Sequence, residues 1–469
     1  MWKMFERAGN QVISLVIQIM LARLLSPQDF GMLAIMVVFI ALGNTIVQSG
    51  LNTALVQAPS VDESDYSTVF WMSFVVSILL FGILFFIAPS IAEFYSMEAI
   101  VWPLRILALI LIINAYNSIQ VAKITRNLEF RKIFRATVIS AVISGGLGVV
   151  AAIANAGIWA LVIQQLTYQI LSCIVLATQV NWRPKLVFEI KRAQNLFSFG
   201  WKLLVSGLLD TGYQSLSDLI IGKQFSSFEL GLVSQGKKYP QALGRLLDGA
   251  IQPVMMSAVS SVQCELTYVK RLVRRALKTS TYFIIPSMAF FALAADPLVR
   301  LLLGDQWLPC VPFLQMYCFI YALLPIHTSN LQALNGVGRS DLFLKLEIIK
   351  KSYGVAVLLF TAFVVRDAYA IVFGYMLTGV ISTFINAWPN RSIIHYSIRE
   401  QMGDIVPSFV LTAVSIAIAW PVSLLSLPLA ATVAFQMALM AAVYLGLSKA
   451  FHIEALDYIL QVCKEFVKK

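Results

Sequence analysis

Six ionisable residues crowd two stretches that are otherwise largely apolar: Asp210 and Asp218 in the first, Lys237, Lys238, Arg245 and Asp248 in the second. An ionised side chain at mid-membrane costs on the order of 2.5 to 3.5 kcal/mol on insertion scales. Such a group needs mutual pairing or a polar visitor. Lys238, Gln241, Arg245, Asp248 and Gln252 recur every three to four residues and fall on one stripe of a helix. At about 1.5 Å of rise per residue, two antiparallel helices joined near residue 225 put Asp218 at the depth of Lys237 and Lys238, and Asp210 at that of Arg245. Fixed cations of this kind would hold an anionic group, and the carboxylates would pair with them between visits or carry a coupling proton. Internal ion pairing is the plainer reading, and pairing and transport are compatible. Lys237 points about 100° away from Lys238, so one of the two is peripheral to the stripe.

A second polar set lies near the start of the chain. Asn10, Ser14 and Gln18 are spaced four apart, as are Asn44, Gln48 and Asn52, which puts each trio on one helix face. Adding 200 gives Asp210, Gln214 and Asp218, then Gly244, Asp248 and Gln252, so polar falls on polar at five of six positions. The same offset relates ARLLSPQDFGML, residues 22–33, to GKQFSSFELGLV, residues 222–233. Each carries a capping-box signature, Ser26 with Asp29 and Ser226 with Glu229, and capping is preferred here over ligand contacts at an outer mouth. The chain is therefore expected to contain two copies of one six-helix unit. Polar faces within such units point to a water-filled cavity or to interhelical hydrogen bonds. The first copy has Val37, Val38 and Thr45 where the second has Lys237, Lys238 and Arg245. Any cavity would draw its positive charge from the second copy, which favours an anionic ligand over a cationic one.

The elements that position these residues are membrane helices. The chain has 469 residues, 59% hydrophobic and 13% charged, where soluble domains carry about 25% charged residues. Apolar stretches long enough to cross a bilayer place helices near residues 5–24, 31–50, 69–88, 104–122, 136–154, 158–179, 199–221, 231–254, 277–295, 311–330, 346–365, 368–388, 405–424 and 428–447. Fourteen spans put both termini on one side. Lys and Arg collect in cytoplasmic loops, and an inside N-terminus makes the groups at Lys123 to Arg135, Arg183 to Arg192 and Lys270 to Lys278 cytoplasmic, with Arg339, Lys345, Lys350, Lys351, Arg391, Arg399 and the tail Lys464, Lys468 and Lys469. Outside loops keep isolated charges such as Arg105 and Lys223. The net charge of +11 is thus mainly a topology signal, not a nucleic-acid footprint. The expected fold is an all-α integral membrane protein with two six-helix lobes related by a pseudo-two-fold axis, residues 1–180 and 181–390, followed by two further helices and a cytoplasmic tail, residues 391–469.

Several patterns carry less. GLVSQGKK, residues 231–238, has phosphate-loop spacing but lacks the Ser or Thr after its lysine and has no preceding strand. Asn390-Arg391-Ser392 fits a glycosylation acceptor but falls on a cytoplasmic loop. His327 is expected as a hydrogen-bonded packing histidine in preference to a proton relay, and Pro325 as a kink beside it. Cys173, Cys264, Cys310, Cys318 and Cys463 lack metal or disulfide spacing. Without the small-residue cleavage site of a signal peptide, the first helix is expected to stay in the protein.

LARLLSPQDFGMLAI, SGLNTALVQ, STVFWMSFVVSILLFGILFFIAPSIAEFY, TRNLEFRKIF and SLSDLIIGKQFSSFELGLVSQGKKYPQ resemble the corresponding segments of bacterial polysaccharide and lipopolysaccharide flippases of the multidrug/oligosaccharidyl-lipid/polysaccharide transporter superfamily. The resemblance is closest over residues 1–260. It implies a two-lobed transporter, not an enzyme, that moves undecaprenyl-pyrophosphate-linked oligosaccharide across the bacterial cytoplasmic membrane by alternating access. Its partners would be that lipid-linked oligosaccharide and membrane lipid, without nucleic acid, with a monomer as the transport unit. A cationic cavity in the family suits Lys237, Lys238 and Arg245; Gln241, Asn44 and Gln48 join them as substrate contacts. Asp210, Asp218 and Asp248 are assigned to ion coupling or charge pairing. No cofactor or metal is expected, with H+ or Na+ as coupling ion. The alternatives are a multidrug or cation exporter of the same superfamily and, behind it, a membrane glycosyltransferase or polymerase.

Overall fold

The structure, a computed structural model, describes residues 2–48, 50–58, 61–263, 265–458 and 461. The Asn10 side chain, Cys264, Cys463, Lys464, Lys468 and Lys469 lie outside the described residues. Helices make up nearly all of it, and no strand occurs among the described residues. Two compact units divide the chain, Met1–Ser234 and Gln235–Lys469.

The first unit holds α1 (Trp2–Leu24), α2 (Pro27–Gln48), α3 (Glu63–Tyr95), α4 (Leu109–Arg126), α5 (Phe130–Ile153), α6 (Ile158–Gln179) and α7 (Ile190–Gln224). It also includes the first turns of α8 (Ser227–Ser261). Because α7 packs on α2, this unit extends past residue 180, where the helix count ends the first lobe. The second unit continues α8 and adds α9 (Leu266–Leu293) and α10, which has two halves, Val311–Ala322 and Leu324–Gly336. It is completed by α11 (Ser340–Phe360), α12 (Ala368–Ala387), α13 (Ile398–Ala419) and α14 (Leu429–Ala450). The expected kink in α10 is present at Leu323, two residues before Pro325, whose ring nitrogen cannot donate to the preceding turn.

Among the described residues, eleven helices are long and apolar enough to cross a membrane, α2 to α6 and α9 to α14. The chain is a multi-pass membrane protein. Val75, Leu79, Ile83 and Phe86 stand exposed along α3, Phe86 at 79%, a surface that only lipid would cover without cost. The other three expected spans, α1, α7 and α8, are helices in the expected places whose polar residues hold them below that apolar threshold. Helix bounds differ from expectation mainly by extra polar turns. The basic run Lys270 to Lys278, expected in a loop, rides on the first half of α9.

Local chemistry sets the helix ends. Asp62 accepts from the Asp65 amide at 3.0 Å and Asp65 returns a bond from the Asp62 amide at 2.9 Å, opening α3 with a capping box; Ser96, at φ 54°, closes it. The box at the first echoed turn forms as expected: the Asp29 amide reaches Ser26 Oγ at 3.4 Å, and the Ser26 amide reaches Asp29 Oδ2 at 3.1 Å. At the second, the Glu229 amide donates to Ser226 Oγ at 3.2 Å.

The two echoed turns also touch. A Cβ on Gly31 would fall 1.7 Å from the Ser227 carbonyl oxygen, and one on Gly231 would fall 1.9 Å from that of Pro27. The repeated glycine therefore serves a reciprocal backbone-to-backbone contact, a requirement that capping alone does not explain.

Candidate functional site

The polar residues of the first unit point inward. Ser14, Gln18 and Asn44 line a cavity of about 390 Å³ between α1, α2, α4 and α6, together with Asn114, Gln164, Gln165, Tyr168 and Gln169. A second cavity of about 390 Å³ is lined by Gln48, Asn52, Asn114, Asn117, Ser118 and Thr125. Five of the six residues in the first-copy stripe thus border one cavity or the other, and Asn10 is the one whose side chain is outside the description. Hydrogen-bond glue accounts for part of the set: Asn114 Nδ2 donates to Asn44 Oδ1 at 2.8 Å, and Gln169 Nε2 donates to Asn114 Oδ1. Asn114, Gln164, Gln165 and Gln169 were not singled out from the sequence. The signal was available, since amides inside otherwise apolar spans such as VIQQLTYQ are themselves a functional marker.

On α7, Asp210 is exposed and accepts from Gln214 Nε2 at 2.7 Å, while Asp218 is half-buried and accepts from Ser217 Oγ at 3.3 Å. Thr211 Oγ1 lies 3.3 Å from Thr45 Oγ1 and joins α7 to α2. In the second unit, Gly236 fits against Phe313 and Leu314, and Gly244 against Tyr321, with Pro240 buried between them. That packed face of α8 is about a third of a turn from the stripe of Lys238, Gln241, Arg245, Asp248 and Gln252. Lys237, Lys238, Gln241 and Asp248 are half-buried, and Arg245 and Gln252 are exposed. Asp248 accepts from Thr328 Oγ1 on α10, so a neutral donor holds it. His327 Nδ1 accepts from Asn386 Nδ2 at 3.0 Å, the packing role expected of it.

Both units gather charge at the ends of their helices. In the first, Arg192 bonds Asp62 at 2.7 Å, Asp65 at 3.0 Å and Glu189 at 2.6 Å. The Arg192 guanidinium holds the Asp62 carboxyl below its ordinary range, and Asp62 with Glu189 raises Arg192 in return. In the second, Asp404 is almost fully buried and receives Arg274 at 2.7 and 2.8 Å, Tyr396 Oη at 2.7 Å and Lys278 at 3.1 Å. Lys278 also binds Glu454 at 2.7 Å, holding that carboxyl low. Arg275 stacks 3.5 Å over the Tyr458 ring.

A family model described as polysaccharide biosynthesis protein matches residues 20–312. The chain is 24% identical over 386 residues to the teichuronic acid biosynthesis protein TuaB of Bacillus subtilis (strain 168), spanning 81% of this chain and 79% of that one. It is 21% identical over 338 residues to the succinoglycan biosynthesis transport protein ExoT of Rhizobium meliloti (strain 1021), spanning 72% and 68%. A solved structure of the lipid II flippase MurJ in an inward closed conformation matches with a TM-score of 0.78 at 14% identity, covering 96% of this chain and 99% of that one. At that identity the likeness establishes a shared fold.

Proposed function

The chain belongs to the polysaccharide biosynthesis protein family, and on that premise we propose that it is a flippase for polyprenyl-pyrophosphate-linked oligosaccharide in the bacterial cytoplasmic membrane. One observation carries the reading: a membrane-spanning unit that faces lipid with apolar side chains keeps amide-lined cavities within it. A bundle that only needed to pack would fill that volume with apolar groups. A saccharide on a pyrophosphate cannot cross about 30 Å of hydrocarbon unaided, while its prenyl tail can stay in lipid. Alternating access exposes a polar site to each side in turn, and no covalent step is required.

In this proposal Lys237, Lys238 and Arg245 meet the pyrophosphate, with Gln241 beside them, and Asn44 and Gln48 meet the sugar. Asp210, Asp218 and Asp248 balance the cations or carry H+ or Na+. The transport lobes are residues 1–180 and 181–390, with residues 391–469 appended. Both termini face the cytoplasm, and one chain is the working unit.

Reconstitution in liposomes with a fluorescent undecaprenyl-pyrophosphate-linked oligosaccharide tests the reading. The protein should move the lipid between leaflets, and Lys238→Ala and Arg245→Ala should each lower the initial rate about tenfold or more, the order expected when a charge-assisted hydrogen bond is lost. Undiminished translocation in both variants would remove the cationic site, and no translocation by the unaltered protein would remove the flippase reading.

A further inference from the structure

The two cavities of the first unit have a chemistry of their own. They share Asn114 as a lining residue, and among the described residues neither is lined by Asp, Glu, Lys or Arg. Asn114 sets the orientation of its neighbours: it donates to Asn44 Oδ1 and accepts from Gln169 Nε2. That leaves Asn44 with its amide N–H groups to offer and Gln169 with its carbonyl oxygen, a donor and an acceptor on opposite sides of one fixed amide. Gln18, Gln164, Gln165 and Tyr168 line the same cavity, and their side chains make no hydrogen bond to another described residue. In the adjoining cavity Asn117, only 8% exposed, has an Oδ1 without a partner, as does the buried Oδ1 of Asn52. Buried polar atoms left unsatisfied are costly, and interhelical glue would have paired them.

We propose that this amide-lined interior binds the saccharide portion of the transported lipid and selects neutral sugar residues. The inference rests on the flippase reading and names the part of the substrate that this unit handles. Sugar hydroxyls both donate and accept, so an array of amide groups and a phenol matches them bond for bond. A pyrophosphate would need fixed cations for charge-assisted bonds, and a cationic ligand would need carboxylates; the described lining supplies neither. A uronic acid would have to give up water without a counter-charge, which low-polarity surroundings penalise heavily. Each cavity falls in the range of about 300 to 1,000 Å³ typical of small-ligand sites. Asn114 is a positioning residue in this scheme, while Asn44, Gln165, Tyr168 and Gln169 touch the sugar.

Three lipids tested on the full chain in nanodiscs decide it: undecaprenyl pyrophosphate alone, the same lipid carrying a neutral trisaccharide, and one whose trisaccharide ends in a uronic acid. The unaltered protein should bind the neutral glycolipid at least about tenfold tighter than the bare lipid, consistent with a few net hydrogen bonds, and tighter than the acidic one. Gln165→Leu and Gln169→Leu should shrink the neutral-sugar advantage to about twofold while leaving the bare-lipid Kd unchanged, which also certifies that the variants fold. If Gln169→Leu does not fold, Gln165→Leu carries the test, because that side chain holds no other described residue. No preference of the unaltered protein for sugar, equal weakening of all three lipids in the variants, or equal binding of neutral and acidic glycans would overturn the inference while leaving transport intact. Failure to bind any of the three would instead remove the flippase reading on which it depends.

Discussion

One region in each unit keeps polar groups inside a membrane protein, and the two do so by opposite means. The first uses neutral amides around cavities, with Asn114 as the shared node. The second ties a buried carboxylate, Asp404, to two cations and a phenol at one end of its bundle. An amide that loses its partner can turn toward a polar cavity. A buried ion that loses its partner cannot, since the penalty for an uncompensated charge is several kcal/mol. Arg274→Ala, which takes from the almost fully buried Asp404 the guanidinium that donates to both of its oxygens, should therefore cost about 3–5 kcal/mol of stability, against about 1–3 kcal/mol for Asn114→Ala. Thermal unfolding of both variants in one detergent measures the gap. Equal losses, or a larger loss for Asn114→Ala, would break the contrast between the units.

At one place the two halves of the sequence are alike and not opposed. Gly31 and Gly231 approach the carbonyls of Ser227 and Pro27 so closely that neither position has room for a Cβ. Gly31→Ala and Gly231→Ala should each force the helix starts apart and cost about 1–3 kcal/mol, as overpacked contacts do, and the two losses should match. Unfolding midpoints of the single variants check this. A loss at only one glycine would mean that the contact is not reciprocal in solution and would confine the likeness of the halves to their caps.

Much of this was legible in the sequence, for reasons that differ by region. Span positions follow from apolar length alone, which is why α2 to α6 and α9 to α14 fall where expected. The Ser26–Asp29 box was readable because capping is a local interaction within one turn. The stripe through Ser14, Gln18, Asn44, Gln48 and Asn52 was readable because period fixes a helix face. What escaped was the other wall of the same cavities. Asn114 and Gln169 are separated by 55 residues, and no periodicity connects α4 to α6. The glycine contact escaped for a similar reason: Gly31 recurs as Gly231 in the echoed turn, but its steric demand comes from a helix 200 residues later. Pairings that depend on tertiary approach leave only residue type behind.

The smallest expected effect is a pH response that should belong to the second unit's tail and to no amide in the first. Lys278 holds the Glu454 carboxyl below its ordinary range and ties the segment after α14 back to α9. A carboxyl whose folded pKa is depressed adds stability above its unfolded pKa, about 4.3, and that stability drains away as pH falls through the lower folded value. The Glu454 side chain is 79% exposed, so the contribution is under about 1 kcal/mol and weakens with salt. Hydrogen exchange of residues 451–458 should therefore speed up, relative to its intrinsic rate, as pH drops from 6 toward 3. Glu454→Gln should exchange fast throughout and lose that dependence, while exchange in α4 and α6 around Asn114 and Gln169, where no charge changes, stays flat over the same range. A flat tail, or a pH response centred on the amides, would break the contrast between the ion-paired tail and the neutral cavity.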